Sequence, residues 1–203
     1  DLHFNELIAL PHNKFDFEIA SQRLRLFALK ATQYLKAMGV SNVLIAMTGD
    51  MLNSDRRLDE MLNESTNRAK ATMLGVYLLE QFLLELDRCF NLQVAYVAGN
   101  ESRIHDEVGW SEVVISDNYD TTVFNMLKHG LRSSGIKFLV GNTMEMVVEV
   151  AGQNVLLVHG NSIRGSDLQK VIQSIKGKYA DNGIPLSFII FGDIHSAYLS
   201  DNF

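Results

Sequence analysis

Short apolar runs alternate along this chain with longer stretches whose apolar residues recur every three or four positions, so strands and helices are predicted in turn. Residues 17–38 place Phe27, Ala31, Tyr34, Leu35 and Met38 at helical spacing and stop at Gly39, a common helix terminator. Residues 43–47 are an unbroken apolar run of strand length, as expected of a parallel strand covered on both faces. A long helical stretch follows over 55–90, with a predicted break near 63–66. Its apolar band, from Met73, Leu74, Val76, Tyr77 and Leu78 to Phe82, Leu83 and Leu86, is too wide for one buried face. This helix either lies deep or meets a partner.

The alternation continues with a strand at 92–98, a helix at 121–131 ended near Gly130, and a short strand at 137–140. Two apolar runs, 144–150 and 154–158, flank Ala151-Gly152-Gln153 and predict an antiparallel hairpin. A helix over 166–179, with Leu168, Val171, Ile172 and Ile175 on one face, leads through Pro185 to a strand at 187–191. No repeat, low-complexity tract or linker-like segment interrupts this order, so residues 1–203 read as one α/β domain.

Five polar clusters punctuate the pattern: Asp1-Leu2-His3, Gly49-Asp50, Gly99-Asn100-Glu101, His159-Gly160 and Gly192-Asp193-Ile194-His195. Each of the last four directly follows a predicted strand. Strands that end in Asp, Asn and His aim carboxylate, amide and imidazole ligands at one sheet edge, where a metal centre can be built. Each cluster alone is ordinary turn chemistry; the ordered set is what carries meaning. By the same logic a strand is expected before Asp1, and eight residues follow His195, so the domain is expected to lack its first strand and its C-terminal end.

Composition narrows the class. With 47% hydrophobic residues over 203 positions the chain is long enough for one substantial core. No run of about 18 apolar residues exists, so a membrane-spanning helix is not expected. The single Cys89 excludes an internal disulfide and lies in an apolar helical pattern, where it reads as packing; with no signal-peptide pattern, a reducing cytoplasm is expected.

Taken in order, the clusters resemble the signature of the calcineurin-like metallophosphoesterases, D-x-H, G-D, G-N-H-[DE], H and G-H-x-H, from Asp1 to His195. The resemblance implies a layered β-sheet sandwich flanked by helices. Carried over position by position, it implies that Asp1, His3, Asp50 and His195 hold one divalent ion, and Asp50, Asn100, His159 and Asp193 a second, with Asp50 as bridge. Mn²⁺ is the favoured ion, with Mg²⁺, Fe and Zn²⁺ as alternatives. The implied chemistry is attack on phosphorus by a hydroxide shared between the ions.

Two positions depart from the signature. Asp193 stands where the family has a histidine; it can still ligate through oxygen and makes the second site harder and more anionic, favouring Mn²⁺ or Mg²⁺ over Zn²⁺. Glu101 stands where the family has the histidine assigned to protonating the leaving group. Three readings compete: Glu101 is itself the general acid, although two nearby cations would lower its pKa; His105, four residues on, takes the role if a helical turn follows the motif; or the acid is dispensable, for a phosphodiester with a good leaving group or one whose leaving oxygen is bound to metal. Asn100, Glu101 and His105 are thus the candidate catalytic residues beside the ligands.

The remaining polar residues have bland readings. His12 and His129 suit surface or capping roles. Asn53 either caps the following helix or sits near the second metal. Trp110 and Tyr119 could stack on a base, though packing is the simpler reading, and Arg164 meets a phosphate or solvent. The formal charge of −6 opposes a large electrostatic grip on nucleic acid, although two divalent ions would bring it to −2. The D-x-H start, the Phe15-Asp16-Phe17 helix entry and the long helical insert after Gly49-Asp50 look most like the exonuclease branch that processes DNA double-strand breaks. That likeness implies a phosphodiesterase acting on nucleic acid and a homodimer through the 66–90 helix. The alternatives are a phosphoesterase for small nucleotides or phosphoproteins, and a catalytically degenerate member acting as an interaction module.

Overall fold

The structure, a computed structural model, describes residues 1–105, 116–141, 144–161, 163 and 168–195. Trp110 and Arg164 lie outside the described residues. Those described form a mixed α/β fold of several sheets and five helices. The chain opens with a hairpin, β1 (Ile8–Leu10) and β2 (Asn13–Phe15), whose three-residue strands are too short to register as a period in the sequence. Helix α1 (Phe17–Ala37) begins at Asp16, whose carboxylate accepts the Ile19 N–H at 2.9 Å, and Gly39 follows its end with φ +69°.

Strands β3 (Asn42–Met47), β4 (Asn91–Tyr96) and β5 (Lys137–Phe138) make one parallel sheet in the order β3-β4-β5. Between β3 and β4 the predicted long helix is two, α2 (Leu58–Leu62) and α3 (Arg68–Asp87). The break falls where expected and has a tertiary cause. Residues 63–65 turn to the N-terminal segment, with Leu7 donating to the Asn63 carbonyl at 2.8 Å and Ser65 donating to the Asn5 carbonyl at 2.7 Å. Asn67 then caps α3 by accepting the Lys70 N–H at 3.0 Å.

The wide apolar band of α3 follows from its position between α1, α4 (Tyr119–Gly130) and β4. Ala71, Val76, Leu79, Phe82, Leu83 and Leu86 are buried there, and a Cβ at Gly75 would come within 2.9 Å of the Phe4 ring. Cys89 packs against the same core.

Strands β6 (Glu145–Val150), β7 (Gln153–Val158) and β8 (Phe188–Phe191) form a second three-stranded sheet, antiparallel then parallel. Ala151 (φ +51°) and Gly152 (φ +76°) make the tight β6–β7 turn the sequence predicts. Helix α5 (Leu168–Asp181) precedes β8. Strand alternation divides the core in two. Val43, Ile45 and Met47 of β3 with Leu92, Val94 and Tyr96 of β4 face the helices; Leu44, Ala46 and Ala95 face Met146, Val148, Val155 and Leu157 of the second sheet. The strands of the first sheet are therefore covered on both faces. A groove of about 720 Å³ lies between β3 and β8, lined by Val43, Leu44, Phe188 and Ile190 and reaching Asp1.

Candidate metal centre

Strands β3, β4, β7 and β8 each run into one of the polar clusters, and the two sheets present those clusters to one another. Asp50 and His159 are buried, and His159 Nε2 lies 3.0 Å from Asp50 Oδ2, 3.0 Å from Asn100 Oδ1 and 3.6 Å from Asp193 Oδ1. The other ring nitrogen, Nδ1, lies 2.6 Å from the Thr48 carbonyl, an acceptor that fixes its proton and turns Nε2 toward the carboxylates. Burial works against a charge on His159, but the hydrogen bond and field of Asp50 outweigh it and hold the imidazole pKa above its ordinary value. Burial likewise opposes ionisation of Asp50, and the His159 contact overcomes it, so the Asp50 pKa is lowered.

Asp1 joins the cluster between the ends of β3 and β8. Its Oδ2 accepts the Asp193 N–H at 2.7 Å and lies 3.5 Å from His195 Nε2, while Oδ1 is 3.8 Å from His159 Nδ1. The backbone beside it is fixed by Leu2 and His3, which both donate to the Asp50 carbonyl at 2.9 and 3.1 Å. His3 Nδ1 bonds Asn53 Oδ1, and its buried Nε2 has no partner among the described residues. The His3 and His195 rings meet edge to face at 5.3 Å.

Asp1, Asp50 and His159 offer ligand atoms that lie within 4.8 Å of one another. A divalent cation fits this donor set: two carboxylates and an imidazole, with the partnerless Nε2 of His3 and the amide oxygen of Asn100 beside them. Backbone geometry marks the same residues. Among the described residues five non-glycines have positive φ; Ala151 belongs to the hairpin turn, and the other four are His3, Asp50, Asp193 and His195. Left-handed backbone is uncommon outside glycine, Asp and His adopt it more readily than most other side chains, and such positions cluster at functional sites. Glycine is required where the loops touch, since a Cβ on Gly99 would lie 2.1 Å from Asp50 Oδ1 and one on Gly49 2.8 Å from His159 Nδ1.

All seven expected ligands are thus gathered at one edge, Asn100 among them; of the other two candidate catalytic residues, Glu101 lines the same pocket and His105 lies away from it. Glu101 Oε1 accepts the Asn100 amide at 2.5 Å, and Oε2 lies 3.8 Å from Arg56 Nη2. From Glu101 to His105 the chain makes a turn and an isolated bridge between Arg103 and Asn118, and these described residues form no helix. His105 is exposed and pairs with Asp117 at 3.1 Å. Asn53 does not cap α2, whose cap is Arg57; it lines a pocket of about 290 Å³ with His3, Asp50, Glu101, Asp193 and His195. Tyr119 packs on the core beneath the Arg68 guanidinium, and His12 and His129 are exposed.

One residue of the site has no counterpart in the sequence reading. Asp120, fully buried in the first turn of α4, accepts the backbone N–H groups of Asp50 and Met51 at 3.0 Å each and of Gly99 at 2.8 Å. Burial pushes its carboxyl pKa up, against the hydrogen bonds it receives from Ser102 and the amides. Its only signal in the sequence is Asn118-x-Asp120 ahead of an apolar helix, which is indistinguishable from ordinary capping.

The sequence matches no model of a known protein family, and no curated protein matches it significantly.

Proposed function

We propose that this chain is a two-metal phosphoesterase of the calcineurin-like kind, with its two stacked sheets as that family's sandwich, acting on nucleic-acid phosphodiesters. The observation that carries the reading is the convergence of Asp1, Asp50 and His159 donor atoms within 4.8 Å, delivered by separate elements. In this reading Asp1, His3, Asp50 and His195 hold one ion, and Asp50, Asn100, His159 and Asp193 the other. When bound, the ions polarise the phosphoryl oxygens and lower the pKa of the attacking water. The protein's part is orientation. The Thr48 carbonyl holds His159 in the tautomer that presents Nε2, and the Glu101 N–H donates to Asp50 Oδ1 at 2.8 Å, leaving Oδ2 to the centre.

Glu101 sits in the pocket with its carboxylate engaged by Asn100 and Arg56, and His105 is turned away toward Asp117. This arrangement suits a substrate whose leaving group needs no proton from the protein. For a nucleic-acid phosphodiester, whose leaving group is an alkoxide, that requires a bound ion to stabilise the leaving oxygen. A second reading, hydrolysis of small phosphoesters, draws support from the size of the pocket, about 290 Å³, and from Glu6, Asp59 and Glu60 on its wall, which repel a polyanion. Homodimer formation through the 66–90 helix belongs to the same proposal.

The test is Mn²⁺-dependent hydrolysis of bis-p-nitrophenyl phosphate, p-nitrophenyl phosphate, and single- and double-stranded DNA, with Asp50→Asn as control. Diester and DNA cleavage lost in the variant is the expected result. Cleavage of the monoester alone would favour the second reading, and activity that survives the substitution would overturn the metal assignment.

A further inference from the structure

The loops that carry Asp50 and Asn100 come from different strands, and both are tied to one atom. Asp120 Oδ2 accepts the Asp50 N–H at 3.0 Å and the Gly99 N–H at 2.8 Å, while Oδ1 accepts the Met51 N–H at 3.0 Å. Asn118 completes the clamp: its amide donates to the Gly99 carbonyl at 2.9 Å, and its Oδ1 accepts the Asp120 N–H at 2.8 Å. Ser102 adds a third tie, accepting from Leu52 N–H at 3.1 Å and bonding the Leu52 carbonyl at 3.2 Å. The first turn of α4 therefore grips the loop after β3 and the loop after β4 together.

A carboxylate is suited to this task and an amide is not. Three N–H groups converge on Asp120, and only a carboxylate offers two acceptor oxygens with no donor of its own. The clearance between the loops leaves little slack, because a Cβ on Gly99 would lie 2.3 Å from the Asp50 nitrogen. A shift of either loop moves a ligand: Asp50 N follows Asp120 directly, and Asn100 is the residue after Gly99. Metal centres are sensitive to such support, and loss of outer partners typically costs 10–100-fold in affinity.

We propose that Asp120 is a positioning residue of the metal centre, setting the separation of Asp50 and Asn100 by holding both loops through their amides. The inference rests on the two-metal reading and deepens it: Asp120 touches neither ion nor substrate and acts through Asp50 and Asn100. It predicts that the pairing of the ions, more than the fold, depends on this carboxylate.

The experiment loads the whole chain with Mn²⁺ and follows stoichiometry and affinity by titration and ion pairing by electron paramagnetic resonance. Wild type, Asp120→Asn and Leu127→Ala are compared, the last a cavity in the same helix that lowers stability without touching the loops. Wild type and Leu127→Ala are expected to bind two ions with an exchange-coupled signal. Asp120→Asn is expected to keep its circular dichroism, lose the coupled signal and bind at least tenfold more weakly. Coupling and affinity in Asp120→Asn equal to those of Leu127→Ala would overturn the positioning role and leave the two-metal reading standing. Wild type that binds no Mn²⁺ would overturn both. Should Asp120→Asn fail to fold, Ser102→Ala, which removes one donor from the same carboxylate, is judged by the same comparison, with a threefold or greater loss of affinity relative to Leu127→Ala expected and equal affinity overturning the role.

Discussion

Glu64 holds a carboxylate where the fold does not favour its charge. Its Oε1 is buried without a hydrogen-bond partner among the described residues, and burial together with the nearby Asp55 charge raises its pKa to about 7, despite Arg68. The native state therefore binds a proton more tightly than the unfolded chain, and this contribution to stability is present at low pH and lost as pH rises from about 4.5 to about 7. Glu64→Gln should consequently raise the melting temperature relative to wild type at pH 8, and the difference should shrink at pH 5. A difference that is flat across that range would refute the assignment. Gly99 is the opposite kind of residue, needed for what it lacks. A methyl group there would lie 2.1 Å from Asp50 Oδ1, so Gly99→Ala should displace the carboxylate and weaken Mn²⁺ binding at least tenfold, measured by titration, with the helical content unchanged.

Among the elements, α3 has two faces with different consequences. The buried one explains most of the apolar band; Met73, Tyr77 and Leu84 lie outside it, exposed, on one stripe of the helix. If a second copy covers that stripe, Tyr77→Asp should halve the mass measured by light scattering from about twice 22.8 kDa to one, with the melting temperature little changed at low concentration. A wild type that is monomeric at micromolar concentration would refute the dimer. The elements were largely legible in the sequence for the same reason that α3 was: residues such as Leu83 and Leu86, or Val43 and Ile45, repeat at the period of the structure that buries them. The β1–β2 hairpin was not, because three-residue strands have no period. The site divides similarly. Asp50, Asn100 and His159 follow long apolar runs and announce themselves, whereas Asp120 acts through backbone amides distant in sequence and resembles a helix cap. The fate of Glu101 and His105 depended on whether the chain after Asn100 turns or coils, which local sequence does not decide.

At the scale of the whole molecule the candidate centre joins two sheets whose shared core is small. Asp50 and Asn100 come from the first sheet, His159, Asp193 and His195 from the second, and Ala95, Val97, Val148, Val155 and Leu157 are the buried residues between. Bound cations would therefore cross-link the two halves of the fold, and their binding energy becomes folding energy. One ion bound only by the native state adds about 1.4 kcal/mol of stability per tenfold rise in free metal above its dissociation constant, and two ions add about twice that. Denaturant unfolding at a series of Mn²⁺ concentrations thus counts ions without any substrate. The two-metal reading expects the steeper slope; the shallower one would leave only the Asp1, Asp50 and His159 set, and a flat line would refute metal binding. The pH dependence supplies an independent sign. Because the His159 pKa is raised in the metal-free protein, a cation must displace the proton on Nε2, so the Mn²⁺ increment should shrink as pH falls through that pKa, and binding should release protons to the buffer. Asp50→Asn removes both the carboxylate that raises the His159 pKa and a ligand, so it should abolish the increment at every pH, whereas a surface substitution that merely lowers net charge should leave the slope unchanged.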